Sequence, residues 1–341
     1  MFMLSRNIHV FLLLALFLGA TSHAAGAEPV AVENDDYAVS VDPANGAITS
    51  LVVKRIGCEL IGEKRLATGF RLNLPLPDYA ANYIEGEAQQ ADSVTATGSQ
   101  IDVHFSKMNS DKGEYPIDLS YSIVVDGDAI RFRSRLTNPT SYPVAEFWFP
   151  RIGGWTGFGK QGASRAAAVA VPNYIGCGHH SWIFTGFPGG RGLGAEGAEW
   201  AGNYPGMTMP WWDLYNNQND LGLYMGYHDE TFRLSTWHMY LMPNSSGTPG
   251  DAWLTPEQSA GNPVGLVFSH VRYPYIQDGE TFDSGEFVLR LHKGDWHKGS
   301  LFYRKWFMEH FPFDKSGSWL RKESAWFTSI LYQPEDTVIA D

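Results

Sequence analysis

The chain has 341 residues, a formal net charge of −12 from 25 Lys and Arg against 37 Asp and Glu, and 14% aromatic residues. An acidic chain with no Lys/Arg stripe lacks the electrostatic footprint that nucleic acid requires, and nothing draws it to anionic surfaces. Its two cysteines, Cys58 and Cys177, show no Cys-x-x-Cys or Cys/His spacing, so no zinc site and no other metal or cofactor is expected.

Residues 1–27 read as a secretory signal. Arg6 supplies the positive region, Val10–Leu18 the apolar run and Ala25-Gly26-Ala27 the small-residue cleavage pattern, with cleavage after Ala24 fitting nearly as well. The apolar run is too short to span a bilayer comfortably, and no later segment is longer. The mature protein is therefore expected to be soluble, off the membrane, and secreted or periplasmic. In that compartment Cys58 and Cys177 either pair or stay as buried thiols.

From Tyr37 onward the pattern is β. Tyr37–Val41 alternates, Asn45-Gly46 marks a turn, and Ala47–Val53 resumes, which predicts a hairpin. Ile117–Val125 and Ala129–Thr137 flank Asp126-Gly127-Asp128, with Ile130, Phe132 and Ser134 opposed to Arg131, Arg133 and Arg135. That period of two means one half-buried face. Further strands are predicted at Ile101–Phe105, Ala145–Phe149, Ala166–Val171, Leu221–His228, Arg233–Leu241, Val264–His270 and Phe282–His292. The 36 glycines and 19 prolines punctuate the chain as in sandwiches and barrels. Loops are expected at Gly186–Gly206 and at Pro243–Gly250, which carries the formal sequon Asn244-Ser245-Ser246.

After His292 the period changes. Trp296–Phe311 reads as a helix capped by Asp295 and stopped by Pro312. Phe302, Trp306 and His310 sit four apart, so one face should pack on the preceding sheet. Ser316–Glu323 is a polar linker, and Trp326–Tyr332 begins another strand-like run.

Candidate binding residues concentrate in Tyr204–Glu230. Seven aromatics (Tyr204, Trp211, Trp212, Tyr215, Tyr224, Tyr227 and the nearby Phe232) surround Asp213, His228 and Asp229. Sugars stack their C–H faces on rings and bond their hydroxyls to carboxylates and amides, so the cluster points to an oligo- or polysaccharide ligand. Trp211, Asp213 and Tyr215 are the foremost candidates. Adjacent Trp211 and Trp212 point to opposite faces of a strand, so one belongs to the core and Asp213 shares the face of Trp211. His228-Asp229 ends a strand where a polar pair could hold a hydroxyl, or where Asp229 closes an Asx turn. His179 and His180, beside Trp182–Phe184, are further candidates for sugar hydrogen bonds. On a strand their rings diverge, which disfavours a shared metal.

Val125–Thr140 followed by Val144–Pro150 resembles the central hairpin of galactose-mutarotase-like supersandwich domains. Pro205–Tyr215 and Gly294–Ser300 are similar to blocks of exported bacterial glycosidase-like proteins, in which such a sandwich leads through a helical linker into a (β/α)₈ barrel. The resemblance covers Tyr37 to the end. It implies a mainly β chain: an antiparallel supersandwich at 28–292, a helical linker at 293–323 and the start of a truncated barrel at 324–341. Intramolecular packing against the barrel would follow. In such enzymes the catalytic carboxylates stand on barrel strands, which would lie beyond Asp341, so no catalytic residue is assigned and the fragment alone should not hydrolyse a glycoside. Two other readings share the aromatic pattern. One is a free-standing glycan-binding protein. The other is a mutarotase-type epimerase, which needs a carboxylate base and a histidine acid; Glu286 with His179, His180 or His228 could supply them, although no spacing selects the pair.

Overall fold

The structure is a computed structural model describing residues 28–79, 81–160, 168–173, 176–181, 199–242, 263 and 265–311. The expected signal segment, the Pro243–Gly250 loop, the polar linker and the barrel-like tail lie outside these residues. Two antiparallel sheets form the body. The larger has nine strands in the order β15 (Gly176–Ser181), β14 (Ala168–Asn173), β17 (Trp211–Asn216), β18 (Leu221–His228), β21 (Glu280–Lys293), β12 (Ala129–Asn138), β11 (Asp118–Asp126), β8 (Gln100–Phe105) and β7 (Ser93–Thr97). The second has six: β16 (Glu199–Tyr204), β19 (Ser235–Met242), β20 (Gly265–Arg272), β13 (Glu146–Trp155), β5 (Arg71–Asn73) and β6 (Tyr83–Glu85). A four-stranded sheet, β1 (Val30–Glu33) to β4 (Cys58–Glu59) with β2 (Tyr37–Val41) and β3 (Ile48–Val53) between, and a small hairpin of β9 (Met108–Ser110) with β10 (Gly113–Tyr115) complete it.

The core lies between the two large sheets. Trp212 of β17 meets Trp237 of β19 at 5.3 Å and Phe268 of β20 at 6.0 Å, and Phe287 of β21 meets Phe268 at 5.5 Å. Ile130 and Phe132 are fully buried, while Arg133 and Arg135 face outward, as alternation predicts. The Asn45-Gly46 turn forms between β2 and β3 with Gly46 at φ 69°. Glycine is required there twice over. Few other residues adopt that φ, and a Cβ would fall into the hydroxyl of Tyr121, which donates to the Gly46 carbonyl at 2.7 Å. Cys58 is a buried free thiol, whose pKa burial pushes up.

Two departures from expectation matter. The glycine-rich stretch expected to be loop through Gly206 contains β16, Glu199–Tyr204, paired along its length with β19. The three-residue strands β5 and β6 were not expected, because a run that short carries no measurable period.

The helix α1 spans Trp296–His310, and the Asp295 side chain caps it by accepting from the His297 amide at 3.1 Å. It lies on the outer face of the nine-stranded sheet. Phe302 packs on Tyr224 and His292 at 5.7 and 5.8 Å, and Trp306 stacks on His228 at 4.7 Å. Tyr303 is buried beside them, while Leu301 stays 48% exposed. β18 is therefore covered on both faces, by the core on one side and by α1 on the other.

Beneath the helix, Asp213 Oδ2 and His292 Nε2 are 2.7 Å apart, both buried. Two glycines make room for them. A Cβ at Gly222 would strike the His292 ring, and one at Gly299 would strike Asp213. Gly299→Ala should therefore shift α1 from the sheet and cost about 1–3 kcal/mol by overpacking. Urea unfolding checks this, and stability equal to or above the parent would contradict it.

Candidate functional site

The expected sugar contacts in Tyr204–Glu230 hold positions that leave them little free surface. Trp211 faces outward from β17, as predicted for one of the pair, but it is 2% exposed and stacked on Trp296 at 6.5 Å. Asp213 has no exposed surface; burial drives its carboxyl pKa up while His292 opposes the shift. Tyr215 is buried with Ala170 against Trp296. Asp229 closes the Asx turn, accepting from the Thr231 amide at 3.0 Å, and it pairs with Arg272 and Arg233 at 3.2 Å each. His179 and His180 lie on β15, opposite Ala170 and Val169; their side chains are outside the described residues.

His228 and Glu286 are cross-strand neighbours, with Nδ1 and Oε1 4.0 Å apart. They line a cavity of about 290 Å³ between α1 and the sheet, with Arg131, Tyr224, Arg290 and Trp306. Glu286 is already committed, to Arg131 Nη1 at 2.5 Å and Arg133 Nε at 2.8 Å. His228 is stacked under Trp306, and its Nε2 lies 3.1 Å from the Tyr224 hydroxyl. Burial, then Arg131 and His310, lower its pKa to about 3. A neutral imidazole held this way, stacked under Trp306, helps to secure the helix.

The outer face of the six-stranded sheet is differently built. On the central strand β13, Phe147 and Phe149 point into the core, so Glu146 and Trp148 point out. Trp148 pairs with Arg71 of β5, and Arg71 with Glu85 of β6. The Arg71 guanidinium forks onto Glu85, with Nε–Oε2 2.9 Å and Nη2–Oε1 2.5 Å. It sits 4.8 Å from the Tyr83 ring and 5.0 Å from the Trp148 ring, which lie perpendicular to each other. Trp148 Nε1 donates to Glu146 Oε2 at 2.8 Å, and His238 meets the Trp148 ring edge-on at 5.4 Å.

Arg151, 5% exposed, anchors this face from below. It donates to Glu85 at 2.8 Å, Glu87 at 3.3 Å, Thr68 at 3.2 Å and the Tyr240 hydroxyl at 2.5 Å. Burial opposes its charge, yet Tyr240, Glu87 and Glu85 together hold it above the ordinary arginine range. Tyr83 remains 37% exposed, and the Arg71 and Glu85 side chains 21% and 32%. The result is an open patch of ring faces with fixed donors and acceptors beside them. Sequence reasoning passed over it. The usable signal was Glu146 and Trp148 alternating with Phe147 and Phe149 inside a predicted strand.

Among the described residues, no group of three His, Cys, Asp or Glu could hold a metal ion, and no helix is long and apolar enough to cross a membrane.

This architecture is shared with a solved structure of low sequence identity. A putative aldose 1-epimerase from Escherichia coli K12 superposes with a TM-score of 0.51 at 10% identity, over 78% of this chain and 99% of that one. A galactose mutarotase-like protein from Lactobacillus casei gives 0.46 at 12% identity, over 78% and 100%. A GH36 α-galactosidase from Geobacillus stearothermophilus, in a structure with stachyose, gives 0.45 at 8% identity, over 82% of this chain and 43% of that one. No family model and no curated protein sequence matches the chain.

Proposed function

We propose that the protein binds carbohydrate on the outer face of its six-stranded sheet, as the sandwich region of an exported glycoside hydrolase-like protein. The observation that carries this reading is the Arg71–Glu85 fork set between the rings of Tyr83 and Trp148. Ring faces offer stacking for the C–H side of a pyranose, and Glu85 and Glu146 offer carboxylate acceptors at the rim to its hydroxyls, while Arg71 holds Glu85 in place. Arg151, buried beneath, fixes the carboxylates so that little side-chain entropy is lost on binding. A shared fold with a putative aldose 1-epimerase is consistent with a sugar ligand.

Calorimetric titration with a panel of neutral sugars tests the proposal. Trp148→Ala should weaken binding about tenfold, or about 1.4 kcal/mol, with an unchanged unfolding midpoint. Equal affinity in parent and variant would remove the face from consideration.

A second reading, anomer exchange, draws on one feature. An imidazole (His238) and a carboxylate (Glu146) both contact Trp148, and acid–base exchange at an anomeric carbon needs such a pair. Polarimetry of freshly dissolved α-anomers decides it. Acceleration lost in Glu146→Gln would support the epimerase, and no acceleration by the parent would exclude it.

A further inference from the structure

The carbohydrate face does not end at Trp148. Across the sheet, Trp148 is opposite Val271 of β20, and Val271 is opposite Thr236 of β19. Thr236 therefore stands two strand spacings from Trp148, about 9.6 Å. Its hydroxyl lies 2.8 Å from that of Tyr273 and 2.7 Å from Asn203 Oδ1. Tyr273 is thus tied down at the next ring position along the face. Burial first, with Glu146 and Tyr275 adding to it, raises the Tyr273 hydroxyl pKa, and Tyr273 in turn is among the groups acting on Tyr83.

Beyond Tyr273 the surface drops into a cavity of about 240 Å³ lined by Arg233, Leu234, Arg272, Tyr273, Pro274 and Phe282. Leu234 is 51% exposed, and Tyr275, which follows the lining residue Pro274 in the chain, is 59% exposed. Tyr275 holds that place with φ 49°, a conformation that an aromatic residue rarely adopts. The Trp148 ring and Tyr273, anchored at Thr236, thus stand about two strand spacings apart, a length greater than one sugar ring, and exposed Leu234 and Tyr275 lie beyond.

The charges along this track also select. Arg71 is committed to Glu85, Arg151 to Glu85 and Glu87, and both Arg233 and Arg272 to Asp229. Four guanidiniums meet four carboxylates when Glu146 is counted, so the track has no net charge, and no cation among these stands ready for a uronate or sulfate. An anionic glycan would gain no new partner and would face Glu85, Glu87 and Glu146.

We infer that the ligand is a neutral oligosaccharide of several units, running from the Tyr83–Trp148 platform past Tyr273 into the cavity beside Leu234. This rests on the carbohydrate reading above and adds length and charge to it. The test is isothermal titration of the intact protein with malto-, cello- and β-1,4-galacto-oligosaccharides of one to six units, and with oligogalacturonides of the same lengths. Affinity should rise at least tenfold from monosaccharide to hexasaccharide in one neutral series. Tyr275→Ala with Leu234→Ser should lower the ratio of hexasaccharide to monosaccharide affinity at least fivefold, with an unchanged unfolding midpoint. Binding that does not grow with length, or that favours the uronates, overturns the inference and leaves carbohydrate binding standing. Binding of no sugar in any series overturns both.

Discussion

Asp229→Ala is expected to destabilise the protein by about 3–5 kcal/mol, the cost of leaving a buried charge without its partner. That is a large share of the roughly 5–15 kcal/mol by which a domain is stable. Arg272 is 2% exposed, and burial lowers its pKa to about 9. Its charge is supported by Asp229 at 3.2 Å, the Ser284 carbonyl at 3.2 Å and the Tyr227 ring at 4.3 Å. Asp229 also anchors the turn after β18 through Thr231. Removing it strands Arg272 and releases the turn together. The double variant Asp229→Leu with Arg272→Met should recover part of the loss, since an apolar pair needs no compensating charge. Urea midpoints for the single and double variants measure both effects, and a loss below about 1 kcal/mol in the single variant would contradict this account of the network.

Acidification is the second large effect. His228 and His270 are both buried with pKa values lowered to about 3, chiefly by desolvation. The unfolded chain takes up these protons near pH 6.5, whereas the folded chain refuses them until about pH 3. Their contribution is therefore complete above pH 6.5 and is lost as pH falls through that interval, by about 2 kcal/mol per histidine at pH 5. Asp213 works against this trend, because burial raises its carboxyl and its folded form takes up a proton at higher pH than the unfolded form. Around His228 the facing groups are Arg131, Glu286 and His310. The first and last disfavour its charge. Urea unfolding at pH 7 and pH 5 should show the loss, and His228→Asn should remove about half of it. Equal stability at the two pH values would contradict these assignments.

The β-architecture was readable because half-buried strands print their two faces into the sequence. Ile130, Phe132 and the intervening arginines mark β12, and the run Leu221–His228 marks β18. The same stretch is more buried than its composition suggests. Tyr204–Glu230 is rich in rings and acids, but α1 lies over the outer faces of β17 and β18, and a sequence does not say which face a later helix will cover. Asp213 therefore meets His292, 79 residues away, in place of solvent. The six-stranded face was obscured for another reason. Its residues come from β5, β6, β13 and β19, and two of these strands have only three residues each. No local pattern announces that Arg71, Glu85 and Trp148 will lie side by side. Only the pairing register brings them together.

Amide hydrogen exchange, with and without the tightest-binding neutral oligosaccharide, tests the central claim most directly. Ligand-dependent protection at Arg71–Asn73, Tyr83–Glu85 and Glu146–Trp148 is the predicted result. Protection confined to α1 and its seam with His228 and Glu286 would contradict it, placing the sugar in the cavity beneath the helix.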